Sequence, residues 1–187
     1  RFRTHFLTLN PADLIAVRHG YGPQRNSESD HRGPQRVWSS RGLAGIDGNV
    51  STALGWARLL EETSECPPTV HAVMGDLTFL HDASGMGMPL GEDFPRCRII
   101  VLDDQGGSIF KSLEHGQRAS QTVYERYFGV AQHADIAALA TAYGAKIHRV
   151  SSMSELRAVL NTEADGLEVL HLSISRPTED IAFLRSL

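Results

Sequence analysis

The chain has 187 residues, 41% of them hydrophobic and 21% charged, with a net charge of −4 when histidine is neutral. A chain of this length buries roughly 70% of its unfolded surface, enough to hold one domain together without disulfide or metal staples. The mild negative charge shows no basic stripe and argues against nucleic-acid binding, two cysteines are too few for a disulfide framework, and no apolar run of about 18 residues offers a membrane span.

In chain order, Phe6 to Leu9 reads as a first strand, and Asn10-Pro11-Ala12-Asp13 as a helix opening with proline at its first position. Residues 18 to 35 are rich in glycine, proline, serine and asparagine and read as a long loop. Arg36 to Ser39 is a short strand, the Gly42–Gly48 stretch a glycine-rich turn, and Asn49 to Glu62 a helix with one apolar face. Strands are expected near 69–75 and 97–103, separated by a short helix after Asp76 and a Gly/Pro-rich loop from Gly85 to Pro95. A helix from Ile109 and an irregular stretch from Gln117 to Gly129 follow. Asp135 to Tyr143 is an amphipathic helix closed by Gly144, and Lys146 to Val150 a strand. Ser152-Met153-Ser154-Glu155 is a capping box for a helix through Leu160, Leu167 to Ile174 an apolar strand, and Pro177 opens a last helix. The alternation predicts an α/β fold: a doubly wound, mainly parallel sheet with helices on both faces. Residues 1–35 are expected to form an N-terminal strand, helix and loop of the same domain, and 36–187 its main body.

Two acidic turns carry the chemistry. Val70 to Met74 runs into Gly75-Asp76, and Arg98 to Leu102 runs into Asp103-Asp104-Gln105-Gly106-Gly107, which sets Asp76 and Asp104 28 residues apart (104 − 76). Apolar β-branched runs of this kind read as buried parallel strands, and open α/β sheets bind ligands beyond the carboxyl ends of their strands. Two carboxylates at adjacent strand ends, with the Gly106 carbonyl able to come close, suit a hard cation such as Mg²⁺ bridging to a diphosphate. Taken singly, Asp76 reads equally well as a helix N-cap and Asp104 as a turn aspartate. The Gly42–Gly48 turn lacks the Gly-x-Gly-x-x-Gly spacing of dinucleotide loops. Arg41 before it reads either as an anion contact or as an exposed arginine, and the following helix would aim backbone N–H groups at an anion. Ser51 and Thr52 either add hydroxyls there or pack. His81 beside Asp82, and His115 after Glu114, read as polar surface or loop residues. No zinc spacing, Gly-x-Ser-x-Gly elbow or Walker lysine occurs.

Three blocks together resemble the thiamine-diphosphate-dependent enzymes and, within them, the 2-succinyl-5-enolpyruvyl-6-hydroxy-3-cyclohexene-1-carboxylate synthases. These are Arg41 to Gly48 with Ser51-Thr52-Ala53, Gly75 to Asp82, and Gly106-Gly107-Ser108-Ile109-Phe110. The resemblance runs from about residue 36 to the end. It implies the C-terminal, diphosphate-binding part of a carboligase of menaquinone biosynthesis that decarboxylates 2-oxoglutarate and adds the succinyl carbanion to isochorismate.

The same resemblance implies thiamine diphosphate (thiamine pyrophosphate) as cofactor, with Mg²⁺, or alternatively Mn²⁺, held by Asp76, Asp104 and the Gly106 carbonyl. Gly45, Ile46, Asp47, Gly75, Leu77, Thr78, Gly107 and Ile109 would join Asp76, Asp104 and Gly106 in binding the cofactor, with Ile46 as the apolar wedge that props it in its bent form. Arg41, Ile109 and Phe110 would face substrate. The activating carboxylate would come from the N-terminal pyrimidine-binding domain of a partner subunit in a homodimer or other homo-oligomer, so the chain alone would be inactive.

The chain departs from the family at three places. Asp104 stands where asparagine is usual, which predicts stricter metal dependence or weaker affinity; Ser40 also replaces an asparagine. Upstream, Pro23 occupies an arginine position, leaving Arg18 or Arg25 for its role. A rival reading is a catalytically degenerate module of the same fold with an assembly or regulatory role. A third is a nucleotide-binding domain using the Gly42–Gly48 loop. The free cysteines and the absence of a signal-peptide pattern predict a cytoplasmic location, and the lack of an initiator methionine predicts a piece cut from a longer chain.

Overall fold

The computed structural model describes residues 14–18, 36–38 and 45–176. Its sheet has six strands: β1 (Leu14–Arg18), β2 (Arg36–Trp38), β3 (Thr69–Gly75), β4 (Cys97–Asp103), β5 (Lys146–Arg149) and β6 (Leu167–Ser173), in the order β2-β1-β3-β4-β6-β5. β3, β4, β6 and β5 run parallel, Val70 facing Cys97 and Cys97 facing Leu167 in register. β1 lies antiparallel to both β2 and β3. The helices are α1 (Asn49–Thr63), α2 (Asp76–His81), α3 (Glu114–Arg118), α4 (Gln121–Tyr124), α5 (Ile136–Ala142) and α6 (Met153–Leu160).

Side-chain alternation along the strands divides the interior into two layers. Cys97, Ile99 and Val101 of β4, with Leu167 and Val169 of β6, join Val50, Ala53, Leu54 and Ala57 of α1 and Ile136 and Ala140 of α5. Ile100 and Leu102 of β4, with Leu170 and Leu172 of β6, meet Leu156, Val159 and Leu160 of α6 on the opposite face. Helices therefore cover both faces of the parallel part, as a doubly wound sheet requires. At the amino ends of β4 and β6 a fully buried ion pair crosses the ladder. Arg98 Nε donates to Glu168 Oε2 at 2.8 Å, and its Nη1 to the Thr162 carbonyl at 2.7 Å. Burial opposes ionisation of Glu168, but hydrogen bonds from Arg98 and Asp165 outweigh it and hold the carboxyl below its usual range.

Local chemistry accounts for several helix ends. Asp135 caps α5 by accepting the Ala138 N–H at 3.0 Å. At its other end Gly144 takes φ +86°, and Ala145 N–H reaches the Ala140 carbonyl at 3.0 Å, a Schellman closure. Ser152 caps α6 through Glu155 N–H, while the Glu155 carboxylate reaches back to Ser151 N–H at 2.8 Å, one residue earlier than the standard box.

Several expectations are corrected. Leu14–Arg18 follows the proline expected to open a helix, yet it is a strand, because the run Leu-Ile-Ala-Val completes a backbone ladder along β3. The antiparallel β1 and β2 also break the strict strand–helix alternation. The helix expected from Ile109 is broken in two, a 3₁₀ turn, Ser108–Ser112, and then the short α3 from Glu114. The stretch from Gln117 to Gly129, expected to be irregular, holds the last two residues of α3, then α4 behind a Ser120 cap and a π-helical turn, Glu125–Gly129, ended by Val130 at φ +48°. The expected elements at 6–13 and from Pro177, and most of the loop 18–35, lie outside the described residues. No helix among the described residues is long and apolar enough to cross a membrane.

Candidate cofactor site

β3 and β4 end side by side, and both acidic turns emerge from that edge. Asp76 is the first residue of α2, buried, and accepts the N–H groups of Leu77 and Gly106. Burial pushes its carboxyl up to about 6; the Leu77 and Gly106 N–H groups pull it down, and the neighbouring charges of Asp104 and Asp103 add to the rise. Asp104 is also raised by burial, with Ser108 and Arg176 pulling the other way. None of the ion pairs among the described residues involves Asp76. Two crowded carboxylates, one of them without a cation, form a hard-oxygen donor set that suits Mg²⁺ or Mn²⁺. Among the described residues no three His, Cys, Asp or Glu side chains are grouped to hold a metal, so a third ligand from this turn would be a backbone carbonyl or a neutral side-chain oxygen. Gly106 is suitably placed: it follows Asp104 by two residues, and its own N–H already contacts Asp76.

The turn that carries these groups is held from several sides. Asp103 Oδ1 accepts Gln105 N–H at 3.0 Å, and its Oδ2 lies 2.7 Å from His171 Nε2 on β6. Gln105 takes φ +63° and Gly106 φ +128°. A Cβ on Gly106 would sit 2.0 Å from the Gly129 carbonyl oxygen, so only glycine fits there. Gly107 N–H donates to that same carbonyl at 2.7 Å, and Tyr124 Oη donates to the Gly107 carbonyl at 3.0 Å. Arg176, beyond β6, donates through Nε to the Asp104 carbonyl at 3.0 Å and through Nη2 to the Gln105 carbonyl. Its Nη1 meets both Glu125 oxygens at 2.8 Å.

A cavity of about 340 Å³ opens at this edge, with Asp76, Leu80, Asp103, Gln105, His133 and Ile136 among its walls. Asp103, rather than Asp104, borders it.

The Gly45–Gly48 turn approaches α2 from the other side. Gly45 and Ile46 are half-buried, Asp47 is exposed, and Gly48 takes φ +68° ahead of α1. The anion at the α1 N-terminus comes from the chain itself: Asp82 Oδ2 accepts Ser51 N–H at 2.9 Å, and the Ser51 hydroxyl also reaches Asp82. His81 Nδ1 lies 3.3 Å from Asp47 Oδ1. His81 and Asp82, read from sequence as polar surface, thus tie α2 to this turn. Two of the buried side-chain polar atoms without a partner of ordinary geometry among the described residues lie at this edge: Asn49 Nδ2 in the first turn of α1, and Ser108 Oγ, which leans on Asp104. Both follow directly on the two glycine turns and fit an anionic group approaching them.

Of the residues singled out from sequence, the structure brings Gly75, Asp76, Leu77, Thr78, Asp104, Gly106 and Gly107 to one edge, with Thr78 buried and Leu77 half-buried. Ile109 is half-buried and Phe110 is 38% exposed, its ring 6.0 Å from that of Phe128. Arg41 and Gly42 to Ala44 lie outside the described residues. Sequence reasoning missed Asp103, Tyr124, Glu125, His171 and Arg176, whose roles depend on partners far away in the chain.

A family model described as "Thiamine pyrophosphate enzyme, C-terminal TPP binding domain" matches residues 25–171. The chain is 46% identical over 145 residues to 2-succinyl-5-enolpyruvyl-6-hydroxy-3-cyclohexene-1-carboxylate synthase of Renibacterium salmoninarum, covering 75% of this chain and 25% of that protein. The synthase of the same name from a Nocardioides species is 39% identical over 168 residues, 90% of this chain and 29% of that protein. The chain thus spans about a quarter of the length of the curated relatives it matches. Among solved structures, benzoylformate decarboxylase from Polynucleobacter necessarius superposes with a TM-score of 0.60 at 23% identity, over 73% of this chain and 25% of that one, a likeness of fold.

Proposed function

Because the chain belongs to the thiamine pyrophosphate enzymes, as a C-terminal TPP-binding domain, we propose that it is the cofactor-binding part of a carboligase acting on 2-oxoglutarate and isochorismate. The observation that carries the reading is the pair of acidic turns at adjacent parallel strand ends, where a buried Asp76 meets Asp104 and the Gly106 N–H without a balancing cation. In this reading Asp76, Asp104 and the Gly106 carbonyl hold Mg²⁺ or Mn²⁺. The N–H groups and hydroxyls near Gly45, Asp47, Gly75, Leu77, Thr78, Gly107 and Ile109 orient the diphosphate. Ile46 is the apolar wedge. Thiamine diphosphate, when bound, supplies the carbanion stabilisation through which a 2-oxo acid loses CO₂.

The chain's own residues contribute position and charge. Asp82 holds the first turn of α1, just after the turn that carries Ile46, against the end of α2, and a solvent-exposed contact of His81 with Asp47 lies beside it. Arg41, Ile109 and Phe110 would face the substrates, with arginine suited to their carboxylates. The N-terminal pyrimidine-binding domain of a partner subunit would complete the site in a cytoplasmic homo-oligomer, so the isolated chain would bind poorly and not turn over. The degenerate-module reading is not favoured by these matches.

A calorimetric titration of thiamine diphosphate with Mg²⁺ into the parent enzyme tests the proposal. Saturable binding that disappears with chelator, and disappears again in Asp76→Asn, is expected. Absence of binding by the wild-type enzyme would sink it. Asp104→Asn is expected to retain binding and to relax the metal requirement, because one carboxylate fewer then faces the diphosphate.

A further inference from the structure

Arginine offers five N–H donors in a rigid plane, and where it spends them reveals its task. Arg176 spends its donors on the carbonyls of Asp104 and Gln105 and on both oxygens of Glu125. It does not ion-pair with the Asp104 carboxylate, which stays available to a cation, although the two are close enough to feel each other's charge. Two successive carbonyls turned toward one guanidinium fix the peptide planes on either side of Gln105. Gln105 is held at φ +63°, a left-handed conformation that is costly for a non-glycine residue and persists only where the surroundings impose it. The next peptide carries the Gly106 carbonyl.

Glu125, the other end of the clamp, is itself fixed by Gln121 Nε2 at 2.6 Å. It opens the π-helical turn whose Gly129 carbonyl takes Gly107 N–H, and Tyr124 beside it donates to the Gly107 carbonyl. The Asp104–Gly107 turn is thus gripped from the 121–129 segment on one side and from the end of β6 on the other.

We propose that Arg176, braced by Glu125, is the positioning residue of the metal-binding turn: it orients the Asp104–Gly106 backbone so that carboxylate and carbonyl converge on one cation, without ligating it. The inference rests on the metal-site reading above. A plain staple between β6 and the 121–129 segment would need only a positive charge against Glu125, which lysine supplies. A positioning role needs the planar fork, because an ammonium group cannot span two carbonyls and a carboxylate at once.

The test uses the parent enzyme with Arg176→Lys, Arg176→Gln and Glu125→Gln. Mn²⁺ binding in the presence of thiamine diphosphate is followed by electron paramagnetic resonance. Amide hydrogen exchange at Gln105–Ser108 is followed in the metal-free protein. Arg176→Gln is expected to weaken Mn²⁺ by about 10- to 100-fold, the usual cost of losing an outer-shell partner, and Arg176→Lys to rescue little of it. Exchange at Gln105–Ser108 should rise in both Arg176 variants while β3 and β4 stay protected. Glu125→Gln should weaken Mn²⁺ less, and its effect should largely vanish in an Arg176→Gln background. Wild-type exchange at the turn in Arg176→Gln, or full rescue of both readouts by Arg176→Lys, would overturn the proposal. Should the wild-type enzyme take up no Mn²⁺ with the cofactor, the metal-site reading fails, and the exchange result still decides the clamp.

Discussion

Replacing Asp76 with asparagine should stabilise the metal-free chain at neutral pH while removing a ligand of the proposed metal site. Folding moves this carboxyl from the ordinary aspartate value of 3.8 to about 6. The folded state therefore holds its proton to higher pH than the unfolded chain does. Stability attributable to this group is full below about pH 4 and is lost as pH climbs through about 6. A rise of about two pH units corresponds to at most ~3 kcal/mol, and partial solvent access discounts it to about 1–3 kcal/mol. Asparagine keeps an oxygen for the Leu77 and Gly106 N–H groups and carries no charge. For a domain of this size the gain amounts to roughly 3–10 °C in melting temperature at pH 7.5, shrinking towards nothing at pH 4. Thermal unfolding of the chelated protein, wild type against Asp76→Asn across pH 4 to 8, measures it. Parallel pH curves, or an asparagine variant that melts lower than wild type at pH 7.5, would refute the argument that burial and like charge set this carboxyl.

Three further outcomes follow from the same structure. Arg98→Met leaves the buried Glu168 carboxylate with only the Asp165 N–H, the longer contact to His148 Nε2 at 3.4 Å and Lys146 Nζ at 3.9 Å, and should cost about 2–4 kcal/mol in denaturant unfolding; adding Glu168→Leu should recover much of it. Gly106→Ala sets a methyl group against the Gly129 carbonyl, so metal and cofactor binding should be lost with the sheet's circular dichroism largely retained. Asp82→Ala removes the acceptor of Ser51 N–H and should lower stability by about 1 kcal/mol, read as a shift in the urea midpoint.

The strands that deliver the acidic turns were readable because their determinants are local and continuous. Thr69–Gly75 and Cys97–Asp103 are mostly apolar runs, interrupted by His71 and Arg98, largely buried, and each stops at its acidic turn. Asp135 and Gly144 marked α5 for the same reason: cap and closure lie within a residue or two of the helix they bound. The strand at Leu14–Arg18 was misread because proline at a first helical position is also compatible with the approach to a strand, and only the unfilled edge of β3 distinguishes the two. Arg176 and His171 were invisible for a different reason. They serve groups 72 and 68 residues away, and nothing near them in sequence states which backbone carbonyls or carboxylates lack partners. The π-helical turn at Glu125–Gly129 owes its place to Gly107 on the far side of the turn, again a distant demand.

The grip on residues 103–107 also dictates an order of events during synthesis. His171 and Arg176 leave the ribosome some seventy residues after the turn they secure, and β6 must slot between β4 and β5, which are both made before it. Until that insertion, the nascent chain can carry Asp76 and Asp104 on a paired β3–β4 unit with the turn still ungripped. The geometry of the turn is thereby coupled to completion of the sheet, and a truncated translation product ending before β6 would present the acidic turns without the backbone arrangement that the proposed site requires.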